Sequence, residues 1–196
     1  MRAVLQKVLR ASVTVDDRVV GEIGRGVCVL VGIHTDDTPE DLEYIAKKIL
    51  TLRVFQEDPS NPSSSHWKKS VRDLNLEVLC VSQFTLCANT SKGSKPDFHS
   101  AMKSERSREM FDTLVRRLSE LHYPEKIKTG AFGEMMQVSL VNDGPVTMSL
   151  DSRKFSYDAH KEQTKVAVEK AKAKDARRLV FASPSSTLSS ATLNDP

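Results

Sequence analysis

Residues 142–150 read NDGPVTMSL, a Gly-Pro pair set between two runs of strand-forming residues. Asp-Gly flanked by alternating apolar residues normally signals a tight hairpin. Proline, however, carries no N–H and is excluded from central strands. Yet Pro145 stands where VTMSL should begin to pair. Two readings stay open at this level: an ordinary turn between two strands, or a device that presents two successive carbonyl groups. From the pattern alone the turn is the simpler account.

The segments around this stretch indicate an α+β fold. MMQVSLV (135–141) and VTMSL (146–150) read as the last two strands. Residues 2–15 alternate loosely and are rich in Val, Leu and Ala, and Asp16-Asp17 then turns the chain into RVVGEI (18–23). VCVLVGI (27–33) is a continuous apolar run, the pattern of a strand covered on both faces. TPEDLEYIAKKILTL (38–52) has the marks of a helix, with Thr38 as N-cap, Pro39 at the first helical position and acids in the first turn. RVF (53–55) reads as a short strand, followed by the loop EDPSNPSSS (57–65). LEVLCVSQFTL (76–86) reads as a further β run, and 104–121 as a second helix with Met110, Phe111, Leu114, Val115, Leu118 and Leu121 inward.

One domain is expected over residues 1–152, carrying a tail over 153–196. The tail is rich in Lys, Ala and Glu and ends in ASPSSTLSSATLNDP, a composition that favours disorder. Charge divides the same way. Residues 1–151 hold 20 Lys+Arg against 21 Asp+Glu, and residues 152–196 hold 9 against 5. No stretch approaches the roughly 18 apolar residues of a membrane span. Lys7 and Arg10 interrupt the N-terminal apolar residues, so a signal peptide is not expected. The three cysteines, Cys28, Cys80 and Cys87, lie in or beside apolar runs without CxxC spacing. Buried free thiols and a cytoplasmic setting are the expectation.

Familiar catalytic apparatus is scarce. The five histidines (34, 66, 99, 122 and 160) lack metal-ligand spacing, and neither a GxSxG elbow nor a GxxxxGK[ST] loop occurs. GEIGRG (21–26) runs into a strand rather than a helix, which removes a dinucleotide-binding reading. No cofactor and no metal are therefore expected. Polar residues do end one strand: Ser82, Gln83 and Thr85 follow an apolar run, where backbone N–H groups leave the ladder and become free to hold an oxyanion. Two hydroxyl residues there are equally consistent with a turn. Thr85 as a nucleophile would need a neighbouring base, and none is evident. Lys92 and Lys95 in KGSKPDF (92–98) are candidates for phosphate contacts, or simply a solvated loop.

Taken in order, MRAVLQKVLRASVTV, GEIGRGVCVLVGI, KKILTLRVF, VLCVSQFTL, KGSKPDF and TGAFGEMMQVSLVNDGPVT resemble the D-aminoacyl-tRNA deacylases over residues 1–151. The basic tail resembles that of eukaryotic members. The resemblance implies a mostly antiparallel, β-barrel-like sheet with a few packed helices, assembled as a homodimer with active sites at the subunit interface. The family's SQ-x-T motif falls on Ser82, Gln83 and Thr85, with Phe84 between. Its Gly-cis-Pro motif falls on Gly144 and Pro145, which would enter the partner's site. Phe132 and Met136 match its GxFGxxM pocket segment. The implied activity is hydrolysis of the ester joining a D-amino acid to the 3′ end of tRNA, and also of glycine mischarged on alanine tRNA. The family is thought to enlist the 2′-hydroxyl of the terminal ribose.

Physical reasoning fits that assignment. An X-Pro bond reaches cis for only about 0.5–1 kcal/mol, and two carbonyl oxygens aimed together can accept from an α-ammonium. An L side chain would then meet the Gly-Pro backbone, while a D side chain points to solvent and glycine passes. One departure stands out: Lys7 occupies the place of an arginine thought to brace the Gly-Pro loop. Lysine keeps the charge and loses the planar fork. The competing class is a DNA- or RNA-binding protein acting through the tail, although no aromatic residues interleave with its lysines for base stacking.

Overall fold

β1 (Arg2–Val15) is the spine of the sheet, in a computed structural model that describes residues 1–154 apart from Pro59 and Pro62. The expected tail beyond Lys154 lies outside the described residues. Along β1 Ala3 and Leu5 face one core and Val8, Ala11 and Val13 the other. Side chains alternate strictly along a strand, so Val8 and Ala11, three apart on one face, mark a slip between them, beside the register shifts with β6 at Gln6/Val8 and Val8/Arg10.

Three strands pair antiparallel with β1. β3 (Gly26–Gly32) takes Arg2–Val8, β2 (Arg18–Ile23) takes Ala11–Val15, and β6 (Gln137–Asp151) runs along the other edge. β4 (Glu77–Ser82) then joins β3 in parallel, and β5 (Ile127–Thr129) joins β4 in parallel. The strand order is β2-β1-β3-β4-β5, with β6 on β1. At the far side a Cβ on Gly21 would lie 2.2 Å from the Thr129 carbonyl oxygen. β2 and β5 thus press together there, and the mixed sheet curls into the barrel-like form expected.

α1 (Pro39–Thr51) and α2 (Ser104–Leu121) cover one face of the sheet. Ile45 and Ile49 of α1 and Phe111, Leu114 and Leu118 of α2 pack with Leu5, Val27, Val29 and Val31 in one core. A second core on the opposite face gathers Val8, Val13, Ile23, Cys28, Leu79 and Val81. β3 contributes to both, which is why its sequence is an unbroken apolar run. Arg117 of α2 makes a bidentate pair with Glu43 of α1, at 2.8 and 3.1 Å.

Three readings of the sequence need correction. RVF is not a strand: only Phe55 bridges, to Lys69. The β run of 76–86 ends at Ser82, and Phe84–Cys87 is a 3₁₀ turn, because Gly32 lets the chain fold close over β3. Finally, NDGP is not a turn between two strands. β6 is one 15-residue strand that pairs with β1 on both sides of it. β5 was not anticipated at all, since three residues carry no readable period.

Candidate active site

Gln83 N–H donates to the Val31 carbonyl at 2.7 Å, which fixes the end of β4 over β3. The chain then turns on Gly32, where a Cβ would lie 2.8 Å from Leu86 Cβ and 2.9 Å from the Gln83 carbonyl oxygen. The first N–H groups of a helical turn have no acceptor within it. Phe84 and Thr85 occupy those positions. Gln83 Nε2 donates to Thr85 Oγ1 at 2.5 Å, which accounts for the amide side chain in the motif. Phe84 is 57% exposed and meets Phe98 edge to face, with centroids 5.1 Å apart.

This turn forms one wall of a cavity of about 650 Å³. Ser82, Gln83 and Phe84 line it on one side, with Phe132 and Met136 on the segment between β5 and β6. Five of the sequence-identified residues thus share one pocket. Thr85 is exposed at its edge and is not among the lining residues. Sequence reading missed Phe98, Ser104, Ser107 and Glu134, which also line it. Their helix and loop positions carry no local signal of a site; Ser104 and Ser107 come in on α2, Phe98 on the loop before it and Glu134 on the segment between β5 and β6. The floor is apolar, from Val31, Ile33 and Val81.

Gly144 and Pro145 are elsewhere in the chain's own surface, and neither lines this cavity. From Gln6 to Val8 of β1, β6 runs from Thr147 back to Asn142, so the Gly-Pro residues loop out of the ladder opposite Lys7. A proline there interrupts no ladder hydrogen bond. The Gly144–Pro145 bond is cis, Gly144 has φ +124°, and both residues are exposed. Asn142, unremarked in the sequence, ties the base of the loop: its Oδ1 accepts from Val146 N–H at 3.0 Å and its Nδ2 donates to Thr147 Oγ1 at 2.9 Å. Lys7 is buried beneath, paired with Asp143 at 3.0 Å and placed over the Phe55 ring at 5.5 Å.

Lys92 and Lys95 do not reach the pocket. They are exposed on a loop closed by paired backbone hydrogen bonds between Asn89 and Asp97, at 2.7 and 2.9 Å. The same segment instead delivers Phe98. The cysteines are unsuited to nucleophilic chemistry: burial pushes the Cys28 thiol up to about 11 and raises those of Cys80 and Cys87 as well. Among the described residues no histidine lines the cavity, and no cluster of His, Cys, Asp or Glu could hold a metal ion. What the pocket offers is an apolar floor, three aromatic rings, hydroxyl, amide and carboxylate groups, and backbone donors at the start of a turn.

The family model described as D-Tyr-tRNA(Tyr) deacylase matches residues 4–151. The D-aminoacyl-tRNA deacylase of Drosophila melanogaster is 53% identical over 152 residues, covering 78% of this chain and 92% of that protein. D-aminoacyl-tRNA deacylase 1 of Homo sapiens is 50% identical over 152 residues, covering 78% and 70%. Among solved structures, the c-Myc DNA Unwinding Element Binding Protein is similar with a TM-score of 0.72 and 50% identity, over 77% of this chain and 98% of that one. A probable eukaryotic D-amino acid tRNA deacylase shares the fold with a TM-score of 0.66 at 19% identity, over 76% and 98%. The ordered motifs, the architecture and these matches agree: the chain belongs to the D-Tyr-tRNA(Tyr) deacylase family and is a hydrolase of that family.

Proposed function

We propose that this protein hydrolyses the ester of D-aminoacyl-tRNA, releasing the D-amino acid and free tRNA, and does so chiefly through backbone groups. The observation that carries this reading is the pocket itself, in which the SQ-x-T turn and the Phe132–Met136 segment face one another with no histidine, among the described residues, between them. The N–H groups of Phe84 and Thr85 stabilise the developing oxyanion; a single donor of this kind is worth about 3–4 kcal/mol in other acyl-transfer sites. The ribose 2′-hydroxyl beside the ester assists the attack, which removes the need for a protein base. No cofactor takes part.

The Gly144-Pro145 loop acts as the chiral filter. It protrudes from the chain's own sheet and does not reach the chain's own pocket, which favours delivery into the pocket of a second copy. Two such sites would form across a homodimer. Its carbonyl oxygens accept from the substrate ammonium, and its backbone blocks an L side chain while glycine, including glycine mischarged on alanine tRNA, passes. Lys92 and Lys95 are exposed on their loop, which supports a reading in which they meet tRNA phosphates. The setting is cytoplasmic, with a nuclear fraction compatible with the basic tail.

The name of one relative of known structure, a DNA-unwinding-element binding protein 50% identical to this chain, supports a second reading in which DNA or RNA association is a separate property of the tail. Hydrolysis of D-tyrosyl-, L-tyrosyl- and glycyl-tRNA by the full chain and by residues 1–154 tests both. The enzyme reading requires cleavage of the D and glycyl esters, spared L ester, and retention after truncation. Duplex binding that disappears on truncation would support the second property, and a truncated protein inert toward D-tyrosyl-tRNA would sink the first.

A further inference from the structure

One wall of the pocket is rigid by construction and the other is not. Gln83 is fixed to β3 by its N–H, and the 3₁₀ turn sits directly on Gly32. The opposite wall, between β5 and β6, spans Gly130 to Met136 outside any strand. Gly130 N–H still reaches the Cys80 carbonyl at 3.2 Å, but beyond it the backbone has a long internal bond, Glu134 N–H to the Ala131 carbonyl at 3.4 Å. Gly133 lies at φ +82°, and Met135 is 92% exposed. Something else must hold this segment in place.

Arg108, on the second turn of α2, meets Phe132 twice. Its Nη2 donates to the Phe132 carbonyl at 3.0 Å, and its guanidinium carbon lies 4.7 Å from the centroid of the Phe132 ring. The Phe132 ring also tilts against buried Phe111 at 5.7 Å. The ring therefore meets both a core aromatic and a cation, each from α2. Gly133 is needed for its backbone rather than for clearance: its φ is +82°, while a Cβ there would stand at an ordinary 3.6 Å from Arg108 Nη2. A planar guanidinium can stack and donate at once; an ammonium cannot reproduce both.

We infer that Arg108 is a positioning residue for the substrate pocket, holding the Phe132–Met136 wall against α2 and so setting the width of the cavity opposite the Ser82–Thr85 turn. This rests on the deacylase reading for its substrate, though not for its geometry. The oxyanion donors belong to the other wall, which Arg108 does not touch. Loss of Arg108 should therefore weaken binding of the aminoacylated end without slowing the chemical step.

The test compares wild type, Arg108→Met and Arg108→Lys in the full-length protein. Steady-state hydrolysis of D-tyrosyl-tRNA gives KM and kcat, and amide hydrogen exchange reads residues 131–136 against the core of α2. A lost hydrogen bond and a lost cation–π contact predict a rise in KM of about tenfold for both variants, with kcat within about twofold. Exchange at 131–136 should quicken in both while the α2 core is unchanged. Lysine restoring the wild-type KM would overturn the inference, because charge alone would then account for the effect. Unaltered exchange at 131–136 would overturn it as well. If wild type fails to cleave D-tyrosyl-tRNA, the deacylase reading falls separately, and the exchange comparison still decides whether Arg108 holds the wall.

Discussion

Lys7 Nζ lies 3.0 Å from Asp143 Oδ2, so the residue before Gly144 is anchored to a lysine buried in the strand beneath it. The Lys7 side chain is 8% exposed and that of Asp143 25%, and Arg25 Nη2 approaches the same carboxylate at 4.0 Å. The protruding loop is thus tied electrostatically at its first residue and by Asn142 at its base. A lysine, a point charge without a planar fork, thus reaches the loop on its own.

The two partners should respond unequally to removal. Asp143→Asn strands a buried ammonium and should cost about 2–3 kcal/mol, whereas Lys7→Met leaves a carboxylate that water and Arg25 can reach, at about 1 kcal/mol. Urea unfolding of the two variants checks the order. Equal losses would mean that Lys7 draws its stability from Phe55 and the core rather than from the ion pair.

Lys7→Arg asks how much the lost fork matters to selectivity. A guanidinium can donate to more than one acceptor of the loop, so the variant should lower L-tyrosyl-tRNA hydrolysis relative to D. An unchanged ratio would show that the single ammonium contact already suffices.

Two separate features disfavour a side chain at Gly144. Its φ of +124° is disfavoured for L residues, and a Cβ would lie 2.8 Å from Val146 Cγ2 and 2.9 Å from Val146 N. Gly144→Ala should reduce D-tyrosyl-tRNA hydrolysis by more than tenfold while costing only about 1–2 kcal/mol of stability, because the residue is exposed. Near-normal turnover in a folded Gly144→Ala protein would remove the loop from the mechanism.

Thr85 should prove dispensable. Its hydroxyl accepts from Gln83 Nε2, is exposed, and is not among the pocket-lining groups. In single-turnover measurements Thr85→Ala should retain a rate within about tenfold of wild type, since its backbone N–H remains. A rate at background would restore the hydroxyl as nucleophile.

The start of α1 carries an acid-sensitive contact. The Ser152 hydroxyl, followed by the Thr38 N–H and hydroxyl, holds the Asp41 carboxyl at about 2, below its ordinary 3.8. A lowered carboxylate pKa contributes stability in full above about pH 4, and loses it as pH falls toward 2. Asp41→Asn should therefore unfold a few degrees below wild type at pH 6, with the difference closing by about pH 2. A gap independent of pH would indicate that packing, not charge, is lost.

Much of the fold was legible because its signals are local. The unbroken run of β3 announces burial on both faces, and Thr38, Pro39 and the acids after them announce α1 before any contact is known. Ser82, Gln83, Phe84, Phe132 and Met136 were legible only as an ordered set of motifs. Their convergence on one cavity depends on β4 and β5 lying side by side. Arg108 carried no signal, and Phe98 none beyond closing the KGSKPDF motif, since each owes its position to a neighbour remote in sequence.

NDGPVTMSL shows where the division falls. Its residues dictated that the ladder could not continue through Pro145, because a ring replaces the N–H that a neighbour would need. Whether the chain would reverse there or only loop out was not in those nine residues. That was settled by β1, whose length pairs with β6 on both sides of the protrusion and whose buried Lys7 faces it. A hairpin is a local choice, whereas a bulged strand requires a partner long enough to hold both halves.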